Sequence, residues 1–153
     1  MLLLLGLRWG RAAFATDYPP DIQQALRDLP QPAFSRAERI RSAFIGPAFL
    51  LALLGAVVWA TWQRLNANPA YGFGQAYLMA LAVFAAFAVI DLLFVDWLVI
   101  CRLRPAGIVI PGTEGCAGWS DYRFHLREQF SVKGLAALVV VPALVAGVVV
   151  LLH

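Results

Sequence analysis

Apolar residues run unbroken through three stretches of this chain, each long enough to cross a bilayer, which takes about 20 apolar residues. Ala43 to Trp62 carries no charge, and Ala76 to Ile100 is apolar apart from Asp91 and Asp96. Gly134 to Leu152 is rich in Val and Leu and is interrupted only by Pro142. Pro47 and Pro142 each remove a backbone donor and crowd the preceding turn, which predicts a kink in each helix. Neighbouring helices can satisfy the freed carbonyls, so both stretches remain acceptable spans. A fourth apolar run, Leu2 to Leu7, is cut short by Arg8 and Arg11. Its charges follow the apolar residues, the reverse of a secretory signal. Segment 1–15 therefore either lies in the interface or makes a short, tilted fourth crossing.

Between the spans the polar pattern predicts local structure. Asp17-Tyr18-Pro19-Pro20 marks a helix start, because proline is tolerated in a first turn. Ile22, Leu26 and Leu29 then recur at i, i+4 and i+7, the spacing of a short helix lying on a membrane surface, and Pro30 and Pro32 end it. Ser35-Arg36-Ala37-Glu38 has the form of a capping box, which starts the first spanning helix ahead of its apolar part. Ile110 to Gly115 is turn-rich, and a further helix is expected from Ser120 through Asp121 to Phe130.

Composition agrees with this reading. Of 153 residues, 61% are hydrophobic and 14% charged, whereas a soluble domain is nearer a quarter charged. A chain this small could not bury so much hydrocarbon in water. The fold class is all-α: an integral membrane helical bundle, a single membrane domain over residues 1–153. Its parts are spans 43–62, 76–100 and 134–152, an amphipathic segment 16–42 and a connecting loop 101–133.

The formal net charge of +3 is first a topological signal. Arg27, Arg36, Arg39 and Arg41 precede the first span, and Arg102, Arg104, Arg123, Arg127 and Lys133 fill the loop 101–133. The loop 63–75 holds only Arg64. Segments 16–42 and 101–133 are thus expected in the cytoplasm of a bacterial cell, with the C-terminus outside the cytoplasmic membrane. The Arg residues are dispersed and lack interleaved stacking aromatics, so nucleic acid is not an expected partner. Membrane lipid is one, and a membrane protein or a second copy is another. Cys101 and Cys116 form no CxxC pair and fall in the cytoplasmic loop, where thiols stay reduced.

Small residues mark helix packing. Ala48, Ala52, Ala56 and Ala60 recur every fourth residue on the first span, a row that lets two backbones approach closely in lipid. Ala82 and Ala86 on the second span, with Ala143 and Gly147 on the third, offer further close contacts. Packing within one bundle is the plainer expectation, and a homodimer face the other.

Few positions could carry chemistry. On a helix from Ala76 to Ile100, Asp91 lies about 4–5 Å from the midpoint, in hydrocarbon. A charge there costs roughly 2.5–3.5 kcal/mol or more, so such residues are paired, protonated or functional. Asp91 is either a hydrogen-bonded structural carboxyl or a proton or ligand site. Asp96, about 12 Å from the midpoint, is expected to pair with Arg102 or Arg104, or with an Arg of the preceding cytoplasmic segment, and is the second candidate for a catalytic role. Five α-helical residues separate the two by about 140° around the axis, so they do not share one ion unaided. In the loop, Asp121, His125 and Glu128 recur at i, i+4 and i+7. Glu114, Asp121 and His125 are the candidate metal ligands, against a solvated face paired with Arg123 and Arg127. No HExxH, P-loop, GxGxxG or G-x-S-x-G motif occurs, and no His lies in a span to ligate haem, so no cofactor is named. Trp59, Trp62, Tyr71, Tyr77 and Trp97 flank the spans as interfacial belt residues.

Three motifs stand in order: Asp17-Tyr18-Pro19-Pro20-Asp21-Ile22-Gln23, then Asp91-Leu92-Leu93-Phe94-Val95-Asp96-Trp97, then Pro111-Gly112-Thr113-Glu114-Gly115 followed by Asp121-Tyr122-Arg123-Phe124-His125. From Asp17 onward the chain resembles a group of small, uncharacterised bacterial polytopic membrane proteins with the same motif order. That resemblance implies topology and candidate positions, and no activity. Two functions remain: a non-catalytic accessory or scaffolding subunit of a membrane complex, or a proton- or metal-dependent membrane enzyme or oligomeric carrier.

Overall fold

The computed structural model describes residues 11–68, 71–105 and 107–152. Most of segment 1–15, His153 and part of the 63–75 loop lie outside the described residues. Where that first segment enters the structure, residues 11–16 are turns, with Phe14 packed against a buried cluster.

Among the described residues all regular structure is helical. Helix α1 spans Pro20–Asp28, α2 Arg36–Ala67, α3 Phe73–Ile90, α4 Tyr122–Gln129 and α5 Val132–Leu152. A π-helical stretch, π1, continues α3 over Asp91–Leu103, and Ala117–Ser120 makes a 3₁₀ turn before α4. Three helical stretches are long and apolar enough to cross a membrane: Arg36–Ala67, Phe73–Leu103 and Val132–Leu152. The described residues thus make an all-α membrane protein with three such helices. Pro47 and Pro142 lie inside α2 and α5, which run on through both.

The helix starts follow local chemistry. Ser35 and Glu38 form the reciprocal box: Glu38 N–H donates to Ser35 Oγ at 3.2 Å, and Ser35 N–H to Glu38 Oε2 at 2.9 Å. Such a cap contributes about 1 kcal/mol, and Arg11 adds an ion pair to Glu38 at 3.0 Å. Pro20 occupies the first turn of α1, where its missing N–H costs nothing. Asp121 caps α4, accepting from Phe124 N–H at 2.9 Å.

The chain divides into two compact units. One joins the residues up to Phe49 with Leu93–His125. Its core is Tyr18, Ile22, Val95, Ile100, Ile108, Ile110 and Trp119, with Leu26 and Phe34 against it. The apolar face of α1 is therefore covered by protein: Ile22 is fully buried in this core, which corrects the expectation of a helix resting that face on the membrane surface.

The other unit holds Leu50–Leu92 and Leu126–His153. Here α3 packs along α5, and Val57 and Leu65 of α2 join Ala80, Val145 and Val149. The small residues at this contact are Ala76, Ala80 and Ala146, all fully buried. Ala82 and Ala86 point outward, and Ala143 and Gly147 are only half-buried, so the row is shifted around α3 from the one expected. On α2, Ala48, Ala52 and Ala56 are exposed and only Ala60 is partly covered. Packing of that stripe within the bundle is thus overturned: Val57, Thr61 and Leu65 form the inward face instead.

Candidate functional site

Motif residues of the first unit join into a clamp between α1 and the segment before α4. Asp21 accepts from Ile22 N–H of its own helix at 2.9 Å and, through its second oxygen, from Gly118 N–H at 2.7 Å. The approach is so close that a Cβ on Gly118 would meet Pro19 Cβ at 2.6 Å and collide with the Asp21 carboxylate. The Trp119 indole N–H donates to the Thr113 carbonyl at 2.9 Å and to Thr113 Oγ1 at 3.1 Å. Thr113 Oγ1 donates in turn to the Ile110 carbonyl at 2.7 Å. Gly112 makes this turn at φ 89°, a conformation that glycine adopts without strain. The Tyr18 ring lies 5.3 Å from the Trp119 ring. Burial pushes the Tyr18 phenol up to about 12, with Arg11 pulling it down and Asp17 pushing it further up. Cys116 Sγ faces the Asp21 carbonyl at 3.8 Å, and burial, then Asp21 and Glu114, raise its thiol above the ordinary value. These polar groups are engaged in holding the unit together.

A different arrangement lies between π1 and α4. His125 Nδ1 stands 3.2 Å from Asp96 Oδ1, with the imidazole about nine-tenths buried and the carboxylate side chain 20% exposed. The geometry suits an Nδ1–H that donates to the carboxylate. Among the described residues Nε2 is buried without a hydrogen-bond partner, and so is the indole N–H of Trp97, the residue next to Asp96. Trp97 sits edge-on to Tyr122 at 5.8 Å, and Phe124 stands edge-on to His125 at 5.5 Å. The imidazole is thus oriented by a carboxylate on one nitrogen and left without a hydrogen-bond partner among the described residues on the other.

The expected partners of Asp96 are thus replaced. Arg104 lies just past the helix at φ 43°, and its guanidinium reaches back to the Cys101 carbonyl at 3.0 Å and across to Ser120 Oγ. It satisfies a helix-end carbonyl, and His125 takes the carboxylate.

The three candidate metal donors are not gathered. Glu114 accepts from Gly112 N–H at 2.8 Å within its own turn. Asp121 stands outside α4 with ψ 79° and turns to its cap, so the i, i+4 face it was to share with His125 does not form. Among the described residues no group of three or more His, Cys, Asp or Glu side chains could hold a metal ion. His125, buried as it is, does not belong to a solvated face paired with Arg123 and Arg127.

Asp91 is half-buried at the point where α3 becomes π1. Because a π ladder joins residue i to i+5, residues five apart stand closer around the axis than in an α-helix. The 140° separation expected for Asp91 and Asp96 therefore does not apply to this backbone. Both cysteines are free thiols, Cys101 buried and Cys116 half-buried. Sequence reasoning missed the clamp roles of Asp21, Gly118 and Trp119. For Gly118 and Trp119 the Gly-Trp-Ser before a capping Asp was the available signal, and for Asp21 its place in the Asp17–Gln23 motif.

Compared with known protein families, curated proteins and solved structures, the chain matches none.

Proposed function

We propose that this chain is a non-catalytic accessory or scaffolding subunit of a bacterial inner-membrane complex, and that α2 is the helix it offers to its partner. The proposal includes the topology drawn from loop charges, with 16–42 and 101–133 cytoplasmic, and kinship with the small polytopic group whose motifs it resembles. The exposure of α2 carries the reading. Only 6% of its most apolar window is buried within the chain, against 17% and 22% for the other two spans. The outward face holds Ala48, Ala52 and Ala56, and Gly46 and Gly55 have open space where a Cβ would stand. Lipid tails gain nothing special from such a surface, whereas a second helix gains close backbone approach. Endogenously tagged protein, purified in mild detergent, is expected to bring down a membrane protein in fixed ratio, identified by mass spectrometry. A homogeneous particle of this chain alone would sink the reading.

The Asp96–His125 pair favours a second reading, a proton-dependent enzyme or oligomeric carrier in which Asp91 also serves. In the accessory reading Asp91 is structural. Asp91→Asn then leaves yield and thermal stability nearly unchanged, while Asp91→Leu lowers both. Loss of an activity of the purified complex in Asp91→Asn, at unchanged yield, would favour the second reading instead.

A further inference from the structure

Helix α4 leaves an apolar ridge uncovered. Tyr122, Leu126 and Phe130 recur every fourth residue, and Phe130 N–H donates to the Leu126 carbonyl at 3.0 Å, so the ridge runs through the last turn. All three residues are exposed, Phe130 by 62%. Arg123 and Arg127 make a second row one residue on, and both are exposed. His125 turns to Asp96 of π1. At about 100° per residue the ridge then lies roughly a right angle from π1, and the two arginine positions face away from π1. Glu128 and half-buried Phe124 occupy the side opposite the ridge. Among the described residues no ion pair holds Arg123 or Arg127. The acids nearby are engaged, Asp121 by Phe124 N–H and Asp96 by His125. Two like charges one turn apart weaken a helix until an anion joins them.

Two connections set the depth of α4. Asp96 lies four residues inside the apolar stretch that ends at Ile100, so the His125 contact at 3.2 Å holds the helix about one turn from the edge of the hydrocarbon. At its other end, Ser131 starts α5 by accepting from Gly134 N–H at 3.1 Å. The charge-free run begins at Gly134 itself, about 6 Å of helical rise past Phe130. The headgroup layer extends about 5–7 Å beyond the hydrocarbon on each side. The ridge and the arginines therefore belong to that layer, and Phe130, the ridge residue nearest the span, is its most exposed member. Tyr, Leu and Phe on one face of such a helix sink into the acyl boundary. Guanidiniums beside them bind phosphate oxygens through paired N–H donors.

We infer that α4 is an interfacial helix that binds anionic glycerophospholipid, with Tyr122, Leu126 and Phe130 in the acyl boundary and the headgroup phosphate on Arg123 and Arg127. This goes beyond the subunit reading and does not depend on it, because α4 is a different element from the exposed stripe of α2.

The test uses the full chain in nanodiscs of phosphatidylcholine doped with phosphatidylglycerol. Its first arm places the photoreactive analogue p-benzoylphenylalanine at position 130 and, separately, at position 128, with both arginines intact. Irradiation is expected to give a chain–lipid adduct from position 130, read by mass, and several-fold less from position 128. A chain–chain adduct from position 130 would overturn the inference in favour of a second copy, and equal or absent lipid adducts at the two positions would overturn it in favour of a wetted ridge. The second arm reads lipid retention by native mass spectrometry after transfer to detergent. Wild type is expected to retain phosphatidylglycerol over phosphatidylcholine by roughly tenfold or more, the scale of two interfacial basic groups. Arg123→Gln/Arg127→Gln loses that preference at unchanged thermal unfolding, while Arg27→Gln/Arg36→Gln, which removes the same charge elsewhere, keeps it. Leu126→Gln/Phe130→Gln keeps both guanidiniums and is expected to lose the retained lipid too. Equal retention of the two lipids by wild type, or a preference kept by Arg123→Gln/Arg127→Gln, would overturn the inference. Undiminished retention in Leu126→Gln/Phe130→Gln would do the same, by showing charge acting without the ridge.

Discussion

At the scale of single residues, the first unit is held by contacts that tolerate little change. Gly118 has Asp21 and Pro19 where a side chain would begin. Gly118→Ala must therefore push the Asp21 carboxylate off the Gly118 amide, leaving that N–H without its charged acceptor. A hydrogen bond to a charged group contributes about 1.5–3 kcal/mol, so the variant is expected to lose at least that much. Trp119 fluorescence during denaturant unfolding measures the loss, and an unchanged midpoint would show the clamp to be soft. Tyr18 supplies a pH readout in the same place. Its phenol is raised from the ordinary 10.0 to about 12, burial being the main cause. The neutral ring's contribution is fully present below the ordinary tyrosine value and is lost as pH rises through about 12. Ultraviolet titration should show one tyrosine ionising in that late step as the unit loosens, and Tyr18→Phe should remove the step. A wild-type titration without it would mean that Tyr18 is wetter than its packing against Trp119 implies.

At the scale of elements, π1 and α4 meet through Asp96 and His125. Removing one member of a fully buried pair costs about 3–5 kcal/mol, and the partial exposure of Asp96 reduces that to roughly 1–3 kcal/mol. Asp96→Ala and His125→Ala should each destabilise by such an amount, and the double variant by less than their sum, with a coupling of roughly 0.5–3 kcal/mol. Strict additivity in thermal unfolding would show that the two do not act as a pair. How far such elements were legible depends on the range of the interactions that make them. The Ser35–Glu38 box, the proline start of α1, the Asp121 start of α4 and all three apolar spans rest on neighbours a few residues apart, and all are readable from the chain. The partner of Asp96 was not, because Arg102 and Arg104 are nearer in sequence than His125. Nor was the Asp21–Gly118 bond, whose ends are 97 residues apart. The π register of Asp91–Leu103 escaped for another reason: the same apolar residues suit an α ladder, and only the backbone shows which one formed.

At the scale of the whole molecule, the described residues hold three membrane-capable helices, and the one left nearly uncovered meets either lipid or another protein along it. Composition does not separate the two, because both ask for hydrocarbon; side-chain size does. A lipid-facing surface accepts Leu as readily as Ala, whereas a helix partner seated against a small-residue row is pushed away by each added isobutyl group. Ala52→Leu/Ala56→Leu places two such groups on the exposed face of α2, near Gly55, where an added Cβ would stand in open space. The isolated chain should keep its stability to within about 0.5 kcal/mol, as surface changes usually do. The companion captured by the tagged protein should fall away. Ala80→Leu is the contrast, because Ala80 is fully buried where α3 meets α5. Overpacking there should cost roughly 1–3 kcal/mol in the chain itself. A companion retained in fixed ratio by the α2 double variant would place the docking surface elsewhere and leave α2 to the lipid.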